Sequence, residues 1–132
     1  MKNMRMLRVD LRGVPDTSPT RLDLEYAQMA SLDGLERFEA LRSLTLYNVR
    51  GLGSVRAIEA LEHLRDLRIC TDEPELARAV CELDLSRFPQ LQRLSLGCHI
   101  GETLRLDTAW IPGVAASLRE LEIGAFAPLS GT

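Results

Sequence analysis

Residues 41–52 read LRSLTLYNVRGL, and the spacing of leucines in this stretch predicts the fold. Leu41, Leu44 and Leu46 form the pattern L-x-x-L-x-L. In an extended chain, successive side chains point to opposite sides, so Leu44 and Leu46 share one face and Thr45 lies on the other. A single strand cannot bury its leucines alone. The stretch therefore predicts a strand that packs beside others of the same kind.

The same pattern recurs along the chain. Full copies begin at Leu64, Leu91 and Leu118, and a shorter copy, TRLDLEY, occupies residues 20–26. Measured between the first leucines of the L-x-L or L-x-I pairs, successive copies lie 22, 23, 27 and 27 residues apart. Strands at this spacing, each followed by a return segment, are typical of a parallel sheet.

The pattern and its period resemble the leucine-rich repeat, over residues 20–126. The resemblance implies an α/β fold: a small leucine-rich-repeat solenoid with a parallel sheet of about five strands, and short helices and turns on its convex side. We expect one domain over residues 1–132. Residues 1–19 would be an N-terminal capping strand and loop, and residues 127–132 a tail.

The return segments have helical spacing. Apolar residues recur every three or four positions, which predicts that they face the core. These residues are Leu35, Phe38, Leu41, Val55, Ile58, Leu61, Leu64, Leu76, Val80 and Leu83. Ser54 and Asp72 are placed to cap two of the helices, and Pro74 is tolerated in a first turn. In the fourth segment, Leu104-x-Leu106 predicts a short extended stretch, with one helical turn near residues 114–117.

The asparagine that usually follows the strand in this repeat is largely missing. Asn48 comes one residue early, and Val49, Asp72 and His99 occupy the expected positions. We expect Asp72 to satisfy backbone groups at one turn, and the solenoid to be short and irregular.

Leucine-rich repeats typically bind partners through the strand residues that point away from the core. The resemblance places such residues in three rows across the sheet: Arg21, Ser43, Asp66, Arg93 and Glu120; Asp23, Thr45, Arg68, Ser95 and Glu122; Glu25, Tyr47, Cys70, Gly97 and Gly124. We expect Arg93 to pair with Asp66 and Glu120, and Arg68 to pair with Glu122. The small residues of the third row predict a shallow notch beside Tyr47.

From these rows we select ten candidate partner-binding residues. Tyr47, Arg68 and Arg93 are the expected anchors, because aromatic and arginine side chains dominate binding energies at interfaces. The full set is Asp23, Glu25, Thr45, Tyr47, Asp66, Arg68, Arg93, Ser95, Glu120 and Glu122. Trp110 is expected to pack under a convex-side loop; an exposed Trp110 would instead mark a second contact surface.

Composition argues against several other classes of protein. The net charge is −3 and the basic residues are not segregated, so we expect no nucleic-acid partner. No apolar run is long enough for a membrane span, and the first residues lack the apolar core of a signal peptide. Three cysteines do not suggest a disulfide framework and favour a reducing, cytoplasmic location.

Motifs for catalysis, cofactors or metals are also weak. Gly51-Leu52-Gly53 resembles the start of a dinucleotide fingerprint, but Arg56 occupies the place of the third glycine. Cys98-His99 with Cys70 lacks the closely spaced pairs of a zinc site. We therefore expect no enzyme activity, no cofactor and no metal.

The sequence thus predicts a non-catalytic protein-protein interaction module, monomeric or weakly dimeric, that binds a protein through the exposed face of its sheet. A short chain of this kind resembles bacterial cytosolic leucine-rich-repeat proteins, some of which are immunity proteins that mask a toxin. Two alternatives stay open. The chain would self-associate through the open edge at residues 121–123, or it would be a fragment of a larger leucine-rich-repeat sensor or ligase protein.

Overall fold

A computed structural model describes residues 7–8, 11, 17–52, 54–98, 104–106, 117–124 and 126–128. The strands in these ranges are β1 (Leu7–Arg8), β2 (Arg21–Glu25), β3 (Ala27–Gln28), β4 (Ser43–Tyr47), β5 (Asp66–Thr71), β6 (Arg93–Cys98), β7 (Leu104–Leu106), β8 (Glu120–Gly124) and β9 (Phe126–Pro128). One α-helix, α1, spans Pro74–Cys81. Three 3-10 helices span Leu35–Arg37, Arg56–Ala60 and Leu85–Arg87.

The five longer strands form one open parallel sheet in the order β2-β4-β5-β6-β8. Each strand pairs with the next of these strands along the chain, and the L-x-L leucines stay in register across all five. Leu22, Leu44, Leu67, Leu94 and Leu121 are aligned in one row. The predicted α/β class and the predicted parallel sheet of about five strands are confirmed.

The register is held by backbone carbonyls that lie just before the strands. The Thr20 carbonyl accepts two hydrogen bonds, from the N–H of Arg42 at 2.7 Å and of Ser43 at 3.0 Å. The carbonyls of Arg42, Arg65 and Gln92 each accept the same two bonds from the next copy, at the same two distances. The strands β4, β5, β6 and β8 are therefore each aligned, at their first residue, on the preceding strand of the sheet.

The core lies between the sheet and the return segments. All ten apolar residues predicted to face it are buried. The 3-10 helices occur where the apolar spacing is three, as in Leu35, Phe38 and Leu41, because a 3-10 helix repeats every 3.0 residues. The return segment with Leu76 and Val80 spaced by four forms the α-helix instead.

Neither predicted cap lies at an N-cap position. The prediction that Ser54 caps the 3-10 helix Arg56–Ala60 is wrong, because Val55 is the N-cap residue and makes no side-chain cap bond. Ser54 Oγ, one residue earlier, accepts a hydrogen bond from the N–H of Arg56 at 3.2 Å. The prediction that Asp72 caps α1 is wrong. Glu73 is the N-cap residue and makes no side-chain cap bond, while the Asp72 carboxylate accepts from Arg50 at 2.8 Å.

Asp72 was expected to satisfy backbone groups at a turn, and in the turn after β4 another residue does so. Glu73 Oε1, rather than Asp72, accepts a hydrogen bond from a turn N–H, that of Gly51, at 3.1 Å. Val49, at the expected asparagine position of its own copy, is fully buried. Arg50 also lies 3.7 Å from the Glu73 carboxylate. The side chains of Arg50, Asp72 and Glu73 therefore connect the turn after β4 to the residues that follow β5.

Short strands flank the main sheet. β1 pairs with β3, Leu11 is buried, and the Arg37 guanidinium donates to the Leu11 carbonyl at 3.2 Å. The N-terminal segment thus contains a two-residue strand. The predicted extended stretch at Leu104–Leu106 is also present, as β7 paired with β9.

Some predictions concern residues that the structure does not describe. The predictions for Trp110, His99 and Gly53, and for a helical turn that includes residues 114–116, lie outside the described ranges. Within those ranges, no helix is long and apolar enough to cross a membrane.

Candidate binding surface

The outward strand residues form the three rows that the sequence predicts. The register aligns Asp66, Arg93 and Glu120 in the first row, and Arg68 with Ser95 in the second. We call this surface the sheet face. Its residues are Arg21, Ser43, Asp66, Arg93 and Glu120; Asp23, Thr45, Arg68, Ser95 and Glu122; Glu25, Tyr47, Cys70, Gly97 and Gly124. All ten candidate partner-binding residues lie on it.

Arg93 is shared between two carboxylates on neighbouring strands. Its guanidinium lies 3.7 Å from Asp66 and 3.6 Å from Glu120. Both predicted pairs are confirmed. Because all three side chains are well exposed, each pair contributes little to stability. The pairs hold the guanidinium over the middle of the sheet.

The predicted pair between Arg68 and Glu122 does not form. Instead, Ser95 Oγ, which lies between them, donates a hydrogen bond to Glu122 Oε1 at 3.4 Å. Arg68 is exposed, and no described carboxylate lies within salt-bridge distance of its guanidinium. The central strand therefore carries a guanidinium that has no ion-pair partner among the described residues.

A shallow concavity of about 580 Å³ lies over the first two rows. It is open to solvent and lined mainly by polar atoms of β2, β4, β5, β6 and β8, together with the residue that precedes β8. The charged residues that line it are Arg21, Arg68, Arg93, Arg119, Asp66, Glu120 and Glu122. Arg119 is absent from the sequence-based candidates because it comes one residue before its strand.

Tyr47 is one of the two large apolar side chains that are exposed in the described part of the chain, at 37%. Its ring makes an edge-to-face contact with Tyr26, with ring centroids 5.4 Å apart. A hydrogen bond with Tyr26 and the proximity of that phenol raise the pKa of Tyr47 above its ordinary value. The same hydrogen bond holds the Tyr47 hydroxyl beside Tyr26.

Tyr26 was not selected from the sequence because it follows β2 rather than belonging to it. Its backbone, like that of the equivalent Asn48, is left-handed, with φ of 53° at both residues. This conformation is uncommon for an aromatic residue. It ends β2 and places the two tyrosine rings beside each other.

The predicted notch in the third row is open at one of its two glycines. A Cβ on Gly124 would meet no atom within 4 Å, whereas a Cβ on Gly97 would lie 3.4 Å from the Cys70 sulfur. Burial, followed by the charges of Asp72 and Cys98, raises the pKa of the Cys70 thiol. Cys70 is therefore neutral at physiological pH and fills the space beside Gly97.

Other candidate sites find little support among the described residues. No group of three or more His, Cys, Asp or Glu side chains is arranged to hold a metal ion there. The Gly51 N–H, which a dinucleotide phosphate would need, already donates to Glu73. A second concavity, of about 390 Å³, lies between the return segments around Phe38 and Leu61.

Comparisons with known protein families, with curated proteins and with solved structures found no match to this chain.

Proposed function

We propose that the chain is a short leucine-rich-repeat solenoid that acts as a non-catalytic protein-binding module. The observation that carries the proposal is the polar sheet face, on which all ten candidate residues lie in three regular rows. A shallow concavity lies over residues of its first two rows. The solenoid is supported by the recurrence of one carbonyl bonding pattern in four successive copies.

Each anchor has a distinct role in this proposal. Tyr47 offers an exposed aromatic ring and a phenol hydroxyl. Arg68 offers a guanidinium that has no ion-pair partner in the described part of the chain, and the guanidinium of Arg93 lies between two carboxylates. Aromatic and arginine side chains of this kind are enriched among residues that dominate binding energy. The surrounding hydroxyls and carboxylates provide hydrogen bonding around these anchors.

We further propose that the protein is bacterial and cytoplasmic, and that it is an immunity protein whose partner is a toxin. These proposals rest on the resemblance of the repeats and on the small number of cysteines, and they include no cofactor, nucleic acid or membrane. They predict that the partner inhibits growth when this chain is absent.

The test compares three tagged proteins in co-purification from the native lysate. The first is the wild type, and the second is Tyr47→Ala/Arg68→Ala/Arg93→Ala. The third, His63→Ala/Arg56→Ala/Arg87→Ala, is a matched control that changes exposed residues outside the sheet face. Circular dichroism verifies that all three are folded.

We expect wild type and control to retain one and the same protein, and the sheet-face variant to lose it. Retention of that protein by all three forms would contradict binding through the sheet face. Loss from the control alone would assign binding to the opposite side of the molecule.

A second candidate function is self-association through β8. The favouring observation is Leu121, which aligns with the core leucines but is 52% exposed. Among the described strands, β8 pairs only with β6, so one edge of β8 has no strand beside it. Sedimentation equilibrium distinguishes the two functions, because only self-association changes the mass of the purified chain with its concentration.

A further inference from the structure

The carboxylates that line the concavity already have partners, whereas two of its arginines do not. Asp66 and Glu120 lie beside Arg93, and Glu122 accepts a hydrogen bond from Ser95. Arg68 and Arg119 line the same concavity, both are exposed, and neither lies within salt-bridge distance of a described carboxylate. Four arginines and three carboxylates line the concavity, which leaves one positive charge in excess, and Arg68 and Arg119 are the arginines without an ion-pair partner among the described residues.

The residues that precede the strands add to this charge. Arg42, Arg65, Gln92 and Arg119 are equivalent positions, because the N–H of each donates to the carbonyl that aligns its strand. Three of these four positions carry arginine. The carboxylates of Asp72 and Glu73, by contrast, follow the end of β5, where Arg50 pairs with them. The edge at which the strands begin is therefore the more basic edge of the sheet.

We propose that the sheet face binds an extended acidic segment of the partner protein, whose carboxylates pair with Arg68 and Arg119. This inference rests on the proposed function and adds the chemistry of the ligand. The net charge of −3 favours a basic partner at long range. At contact, however, the local charge decides which groups are paired, because salt screens charges beyond roughly 10 Å.

The positions of the two arginines set the spacing of the acidic residues. Arg68 lies two strands away from Arg119 and three residues further along its strand. With about 4.8 Å between strands and about 3.3 Å per residue, their Cα atoms lie about 14 Å apart. An extended peptide covers that distance in about four residues. Arginine is suited to this role because its planar guanidinium binds a carboxylate through two parallel hydrogen bonds.

The test uses fluorescein-labelled ten-residue peptides of serine and threonine. In each peptide two positions carry Glu, with one to five residues between them, and matched peptides carry Gln or Lys instead. Fluorescence anisotropy gives the Kd at low and at high salt. We expect the Glu peptides whose two glutamates are about four residues apart to bind best, about tenfold more tightly than their Gln counterparts. Salt should weaken their binding.

Two variants assign that binding to the proposed arginines. Arg68→Gln/Arg119→Gln should weaken binding of the best Glu peptide about tenfold. Arg56→Gln/Arg87→Gln, which removes the same charge outside the sheet face, should leave the Kd unchanged. Three results would overturn the proposal. Lys peptides would bind as tightly as Glu peptides, the two variants would lose the same affinity for the best Glu peptide, or no Glu peptide would bind measurably. Tighter, arginine-dependent binding of a ten-nucleotide oligothymidine would overturn it in favour of a nucleic acid.

Failure of this inference is distinguishable from failure of the proposed function. If the sheet-face variant loses the co-purified protein but that protein contacts the face through a segment without acidic residues, only the inference fails. If no protein depends on the sheet face, both fail.

Discussion

At the scale of single residues, Gly51 shows how a turn between two strands determines a residue type. Its φ of 94° lies in the left-handed region, and a Cβ there would be 2.8 Å from the Met29 carbonyl oxygen. Its N–H is bound by Glu73. The backbone therefore cannot easily rotate to accommodate a side chain, and only glycine fits without strain.

We predict that Gly51→Ala lowers the free energy of unfolding by about 1–3 kcal/mol, from left-handed strain and the Met29 contact. Gly124→Ala is the matched control, because a Cβ there meets no atom within 4 Å. It should change stability by less than about 0.5 kcal/mol. Urea unfolding followed by circular dichroism measures both, and equal losses in the two variants would contradict the steric explanation.

The outward rows could be predicted from the sequence residue by residue, whereas one of the contacts within them could not. Alternation decides on which face Arg68 and Glu122 lie, because the side-chain period of a strand is two. It does not decide which of several polar neighbours a long side chain reaches. Ser95 lies directly between these two residues, and its hydroxyl is the group that bonds to Glu122.

At the scale of elements, the strands followed directly from the L-x-L pattern, but the helix type and the caps did not. Apolar residues spaced by three and apolar residues spaced by four both predict a helix. The first spacing gives the 3-10 helix Leu35–Arg37, and the second gives the α-helix Pro74–Cys81. The cap at Asp72 was unpredictable because its competitor, Arg50, comes from the previous copy. Such competition depends on how neighbouring copies stack.

Burial also differs among strands that look equivalent in sequence. Leu94 in β6 is 1% exposed, whereas Leu121, at the same position in β8, is 52% exposed. We predict that Leu94→Ala lowers the free energy of unfolding by about 2–5 kcal/mol and Leu121→Ala by less than about 1 kcal/mol. Thermal or urea unfolding of the two variants checks this, and similar losses would mean that β8 closes the core in solution.

At the scale of the whole molecule, the sheet is open, and β8 exposes an edge among the described strands. Glu120 and Glu122 are exposed on this strand. Charged side chains on edge strands discourage pairing with another chain. The same two residues therefore limit self-association and contribute to the sheet face.

We predict that the wild type is monomeric at micromolar concentration, and that Glu120→Thr/Glu122→Thr forms dimers that increase with concentration, because it removes two charges from the edge and adds β-branched residues. Sedimentation equilibrium of the two proteins measures this. Arg56→Gln/Arg87→Gln, which also removes two charges but not from β8, should remain monomeric. A wild type that dimerises as strongly as the Thr variant would favour the second candidate function.

The carbonyls that align the strands have a consequence for how such a protein can evolve. Each of these carbonyls bonds only to the next copy, 22 to 27 residues later, so no strand takes its register from a distant part of the chain. A gene duplication that inserts one more unit would therefore keep every existing contact except those at the point of insertion. Each added strand would lengthen the three rows of the sheet face by one residue each, and selection would act on these new residues separately.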